Sequence, residues 1–367
     1  MRKTILAALI GGLAFGANAA NLDDLRIGGF GSVGVGISDN DAGYAGYDKE
    51  LGYKQDTLFG LQFDFQINDR ASVTTQVVAN GRYNFEPAFE VAYLSYKFDA
   101  ATVRGGKIRT PFFMYSDYLD VGYAYPMLRP SQEIYEHLII SNFTGIDAII
   151  PVEIGSSTLE LQPFMGVSQL EERDSNFGQQ ADIKDVFGLA ANWYINDWTV
   201  RGSYAQATVE AMSPVLPDSM SAMDPIVTMK LNQDQDATFT SIGVQYNDGT
   251  WLFNAEGMAM ELSGPYYDVE AASVLLGYQV NAFTPYVAGG YISTSDNDER
   301  ALWPSSIKEY DRTSYSVGLR WDFATNMAMK LDTTYVDYND TTGGIGGNSA
   351  LEYDDSLVYS ASVDFVF

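Results

Sequence analysis

The sequence predicts an all-β chain, a 16-stranded antiparallel transmembrane β-barrel with short periplasmic turns at one end and longer external loops at the other. Three observations predict it. Apolar and polar residues alternate with a period of two in segment after segment. The connections between these segments alternate between tight and mostly long. Beyond the amino-terminal leader there is no run of apolar residues long enough to span a membrane as a helix.

Composition removes the main competing classes. The 367 residues are 46% hydrophobic and include 25 Tyr, 20 Phe and 5 Trp, too much burial-seeking surface for a disordered chain. The absence of cysteine excludes disulfides and thiolate-ligated metals or clusters. His137 is the only histidine, so a multi-histidine metal site is excluded, and no metal or cofactor is expected. A net charge of −27 argues against a nucleic-acid partner, because such binding needs clustered Lys and Arg.

The chain opens with a leader. Arg2 and Lys3 precede the apolar stretch Thr4–Phe15, and Ala17-Asn18-Ala19 has the small-x-small pattern of a signal-peptidase site. Residues 1–19 are therefore expected to leave as a signal peptide, with cleavage after Ala20 as the alternative. Residues 20–367 then form a single barrel domain. Cleavage removes two basic residues, leaving 19 basic against 48 acidic groups and a net charge of −29.

Along the rest, Phe59, Leu61, Phe63, Phe65 and Ile67 are apolar at every odd position, with Gly60, Gln62, Asp64 and Gln66 between them. The same alternation runs through 159–167, 187–195, 315–323 and 357–367. Each segment therefore has one apolar face and one polar or small face. Tight connections fall at 68–69, 99–100, 155–157, 196–197, 247–249, 280–281 and 324–326, rich in Asn, Asp and Gly. The other set spans 38–54, 79–88, 109–144, 169–184, 210–235, 262–266, 293–311 and 339–354. Seven turns and eight loops join sixteen strands, with both termini on the short-turn side. A soluble sandwich has no reason to segregate its connections in this way, whereas an outer-membrane barrel does. Aromatic residues near the tight turns, among them Phe98, Trp193, Trp198, Trp251, Phe283, Trp321 and Phe365, match interfacial girdles. Closure requires the first strand, about 25–37, to pair with the last, about 356–367.

The leader, the glycine-rich opening strand LRIGGFGSVGVGI (25–37) and the closing strand SLVYSASVDFVF (356–367) make the mature chain resemble a Gram-negative outer-membrane general-diffusion porin. The resemblance implies a homotrimer, a terminal Phe367 read as a signal by the barrel-assembly machinery, and a third loop folded into the lumen. Loop 109–144 is the longest and unusually aromatic, with Phe112, Phe113, Tyr115, Tyr118, Tyr123, Tyr125, Tyr135 and Phe143.

With apolar positions facing lipid, the inward charged candidates are Asp64, Arg70, Arg82, Glu90, Glu160, Glu256, Arg320, Asp322, Lys330, Asp332 and Asp364. The face of Glu90 is ambiguous. Near the long loop, Arg104, Lys107, Arg109 and Arg129 would oppose Asp117, Asp120, Glu133 and Glu136 across the opening. Asp64 stands where the resemblance expects an arginine, so a weak cation preference is expected. Acidic external segments suit divalent bridges to lipopolysaccharide in a lipid outer leaflet. The expected function is passive diffusion of small hydrophilic solutes and ions. The alternatives are a saccharide-specific channel using the tyrosines for stacking, a plugged adhesin, or a rim hydrolase built around His137 with Ser131 or Ser141.

Overall fold

Alternation along each segment closes into a cylinder. The computed structural model describes residues 24–136, 140–170, 181–210, 234–263, 268–295, 311–339 and 353–367. Its first eight strands are β1 (Leu25–Ser38), β2 (Leu58–Gln66), β3 (Ala71–Asn80), β4 (Pro87–Lys97), β5 (Thr102–Arg109), β6 (Asn142–Ile154), β7 (Ser157–Leu170) and β8 (Ala181–Ile195). The second eight are β9 (Trp198–Val209), β10 (Gln235–Asn247), β11 (Trp251–Leu262), β12 (Asp268–Tyr278), β13 (Phe283–Ser295), β14 (Asp311–Ala324), β15 (Met327–Asp337) and β16 (Asp355–Val366). Each strand pairs antiparallel with its sequence neighbours, and β1 pairs with β16 from Phe30 opposite Val366 to Ser38 opposite Val358. Reciprocal backbone hydrogen bonds between Gly29 and Phe367, 3.0 and 2.9 Å, finish the seam. Closure leaves no sheet edge unpaired, which is the condition for backbone to cross hydrocarbon. Among the described residues no helix is long and apolar enough to cross a membrane.

Local chemistry explains the tight turns. Gly155, Asn196, Gly249, Asn281 and Asn326 all take φ between +50° and +82°, where Gly and Asn are tolerated best. Beside these turns lie ring pairs: Trp198 with Tyr246 and Trp251 with Tyr278, each at 4.7 Å, Phe283 with Trp321 at 5.9 Å, and Phe365 with Phe367 at 6.5 Å. The girdle read from the sequence thus includes separate pairs of packed rings at the turn end.

The faces follow the pleat. Phe59, Leu61, Met165, Val167, Phe187, Leu189, Tyr315 and Val317 are 44–65% exposed on the outside. Gln62, Gln162, Asn192, Ser203 and Ser314 point inward. β4 departs from simple alternation. Gln76 of β3 faces Val91 while Val77 faces Phe89, so Glu90 is the extra residue of a β-bulge. That bulge is why the face of Glu90 is ambiguous in the sequence. The second external connection is also tighter than its neighbours. Gly81–Tyr83 form a 3-10 turn whose Arg82 N–H is capped by the Asn80 side chain at 2.9 Å, with Asn84 left-handed behind it.

The expected signal peptide, His137, and the acidic residues of segments 171–180, 296–310 and 340–352 lie outside the described residues.

Candidate functional site

The described part of the third external loop, 110–136 and 140–141, lies inside the barrel. Its aromatic content gives the physical reason. Phe112, Phe113 and Ile134 pack with inward-facing Ile108, Phe143, Phe164, Met258 and Ile292, so the loop buries rings against the inner wall instead of presenting them to solvent. Phe112 stacks on Phe239 of β10 at 4.1 Å. A single helical turn, α1 (Gln132–Tyr135), leads the chain back toward β6.

Hydrogen bonds stitch the loop to the wall along its length. The hydroxyls of Ser203 and Ser241 donate to Phe112 O at 3.2 and 2.6 Å. Glu256 accepts from Met114 N–H and from the Tyr135 hydroxyl, both at 2.9 Å. Across the lumen, Lys330 donates to Gly122 O at 2.6 Å, and Arg320 donates to Tyr123 O and Tyr125 O at 2.7 and 3.0 Å. Leu128 N–H donates to the Tyr286 hydroxyl, which itself donates to Asp332 at 2.7 Å. Gly122 sits so close to the seam that a Cβ there would lie 2.6 Å from Ser32 Oγ and 2.8 Å from Asp364 Oδ1. The loop therefore spans from the β9–β11 wall to the β14–β16 wall and β1.

The candidate charges separate into several groups. Arg109 ion-pairs with Asp120 of the loop and lies 3.5 Å from Glu90. Arg104 pairs with Asp147 on β6, its Nε–H donating to Oδ1 at 2.9 Å, and stands over the Tyr93 ring. Asp117, about half exposed, lies 3.9 Å from Arg201 of β9. Glu133 and Glu136 meet Arg312 of β14 at 3.2 and 2.9 Å. Lys107 is opposite Ala92 and Thr144 in the outward row, so the register puts it on the lipid side of β5. Arg82 sits at the external rim, its Nε donating to Gln55 O at 2.8 Å, and Arg70 pairs with Asp99 at the turn end. Arg201 and Arg312 are additions that were absent from the sequence candidates. Their signal was the alternation of β9 and β14, where the outward rows Val200 and Tyr204, and Tyr315 and Val317, put both arginines inside.

Loop 1, residues 39–57, clasps the inserted loop from above. Arg129 makes a two-toothed ion pair with Asp56 at 3.1 and 2.6 Å, donates to Ser360 Oγ at 2.8 Å and lies over the Tyr47 ring. The Tyr47 hydroxyl donates to the same aspartate at 2.8 Å, and the Tyr44 hydroxyl donates to Glu133 at 3.1 Å. Burial alone would raise the Asp56 carboxyl, but Arg129, with help from Arg82 and Tyr47, holds it below the usual aspartate range.

Apart from Arg201, whose Nε and Nη2 have no hydrogen-bond partner among the described residues and whose nearest carboxylate is Asp117 at 3.9 Å, the lumen-facing basic groups named here are compensated: besides the pairs above, Arg320 meets Asp322 at 2.7 Å and Lys330 meets Asp364 at 3.1 Å. Asp64, Glu160, Glu256 and Asp332 have no salt bridge among the described residues; their partners are neutral donors such as Thr74, Asn192, Tyr135 and Tyr286. The described interior therefore has a carboxylate excess. Among the described residues no group of three or more His, Cys, Asp or Glu could hold a metal ion. On the turn side of the loop lies a polar cavity of about 390 Å³.

No protein-family model and no curated protein sequence matches this chain. Solved structures do match. An anion-selective porin from Comamonas acidovorans superposes with a TM-score of 0.62 at 11% identity, covering 94% of this chain and 99% of that one. OmpF of Salmonella typhi, in complex with daunomycin, gives 0.62 at 13% identity, covering 94% and 97%. The trimer form of in-vitro folded OmpT, an outer membrane protein of Vibrio cholerae, gives 0.57 at 15% identity, covering 94% and 99%. At such identities the likeness is one of architecture, and the architecture of this chain is that of the outer-membrane porin barrels.

Proposed function

We propose that the chain is an outer-membrane channel for passive diffusion of small hydrophilic solutes and ions, with a weak preference for cations and no catalytic role. The observation that carries this reading is a long loop held inside a closed barrel whose outer wall is apolar and whose inner wall is polar apart from the patch on which Phe112, Phe113 and Ile134 pack. Such a loop, anchored by its rings on one side of the wall, narrows a lumen whose remaining lining is polar. The carboxylate excess supports cation preference, with Asp117, Asp120, Glu90, Arg104 and Arg109 shaping the field in the narrow zone and Arg129, Glu133 and Glu136 holding the loop. The leader 1–19 fits export through a cleaved signal peptide, and Phe367 at the seam fits recognition by the assembly machinery. A homotrimer in contact with lipid and lipopolysaccharide completes the proposal.

Planar-bilayer recording across a salt gradient tests it. Stepwise conductance in groups of three, with a reversal potential of cationic sign, is the expected result. An anionic sign would overturn the selectivity, and silence from folded protein would overturn the channel.

A further inference from the structure

We propose that the cavity beneath loop 3 is a binding subsite for a neutral saccharide ring, which makes the channel more than a passive sieve for that solute class; the inference rests on the channel reading. The volume, about 390 Å³, lies within the range of small-molecule sites, roughly 300–1,000 Å³. Tyr118 and Tyr123 of the loop are both half-buried and line the cavity together with Gln245, Asn254, Arg320 and Asp322.

The chemistry of this lining selects the ligand. A pyranose has C–H faces that pack on aromatic rings and hydroxyls that both donate and accept. The tyrosines supply the first kind of contact. The amides of Gln245 and Asn254 and the Arg320–Asp322 pair supply the second. Arg320 donates to Asp322 from Nε and Nη2, at 3.0 and 2.7 Å, so the pair offers hydrogen bonds without net charge. An ion gains little from such a wall, and a zwitterion would have to separate the pair to use both halves.

The subsite is also held in shape before any ligand arrives. Tyr115 meets Tyr118 edge-on at 5.8 Å, and the Arg320 guanidinium lies 4.7 Å from the Tyr123 ring centre while donating to two loop carbonyls. Rings and donors fixed by the fold need little further ordering on binding. Burial and the neighbouring Asp117 carboxylate push the Tyr118 phenol up to about 12, so it remains a neutral donor at physiological pH.

The test is single-channel recording of the full-length protein with glucose and maltotriose added to the turn side. Saturable interruptions of the open current are expected. Tyr118→Ala and Tyr123→Ala should each raise the half-blocking concentration about tenfold, in keeping with the loss of a stacking ring. Tyr118→Phe should leave it within about twofold, since the ring remains. The persisting conductance of each variant reports its folding, and Gln245→Ala offers a second substitution away from the loop. Block that grows linearly with concentration and equals that of polyethylene glycol of matched size would overturn the subsite. Stronger block by glycine than by glucose would overturn its neutral character. Absence of any current would instead count against the channel reading itself.

Discussion

Arg129 is buried between two loops, and one carboxylate compensates it. Its side chain and that of Asp56 are each 9% exposed. Removing one partner of such a pair strands the other charge, at a cost of about 3–5 kcal/mol. Asp56→Asn should therefore loosen the clasp on loop 3, lowering the unfolding temperature in detergent and raising open-channel current noise; an unchanged noise spectrum would refute the clasp. The pH dependence has a defined sign. The Asp56 carboxyl is depressed in the folded protein, so its stabilisation is fully present above the unfolded value near 3.9 and is lost only as pH falls through the lower folded value. Arg129 lies beside that carboxylate and stays charged throughout. Noise arising from release of this clasp should thus rise as pH falls below about 4.

Between β6 and β7 the constraint belongs to a pair of elements. Gly145 and Gly166 face each other directly, and a Cβ on either would strike the backbone of the opposite strand. Gly166→Val should lower barrel stability by about 1–3 kcal/mol, read as a drop in the temperature at which electrophoretic mobility of the folded form is lost. Stability equal to wild type would mean that the two strands can part there. At this scale the sequence is most legible. Tight turns such as Asn196-Asp197 and rows such as Phe187, Leu189 and Trp193 report on backbone within a few residues of themselves. Their reading survives because lipid outside and polar lumen inside reinforce the same period. The bulge at Glu90 was not legible, because one inserted residue changes face without changing composition. Nor were the charge pairings. Arg312 finds Glu133, and Arg320 finds Tyr123 O, across 179 and 197 residues of chain. Only the path of loop 3 brings such residues together, and that path follows from aromatic burial against several strands at once. Arg201 was within reach, since the outward row of β9 already assigned its side.

For the whole molecule, selectivity is a question of range. On the channel reading, a net charge of −27 and a described lumen in which Asp64, Glu160 and Asp332 form no salt bridge create a negative potential along the path of an ion. Two sources of preference are then distinguishable. If the summed field acts, it is screened by salt, because the Debye length falls from about 10 Å at 0.1 M to about 3 Å at 1 M. If direct contact with Asp117 or Asp120 acts, an ion a few ångströms from a carboxylate feels it at either concentration. Their arginine neighbours favour the field: Asp120 is engaged by Arg109 and Asp117 lies against Arg201, so neither is a bare contact site. The reversal potential under a fixed tenfold gradient should therefore shrink toward zero as mean salt rises from about 0.1 to 1 M. A cationic reversal potential that stays constant over that range would move the selectivity from the lumen as a whole to the carboxylates of loop 3. Asp117→Asn would then abolish it, whereas under the field reading it only weakens it.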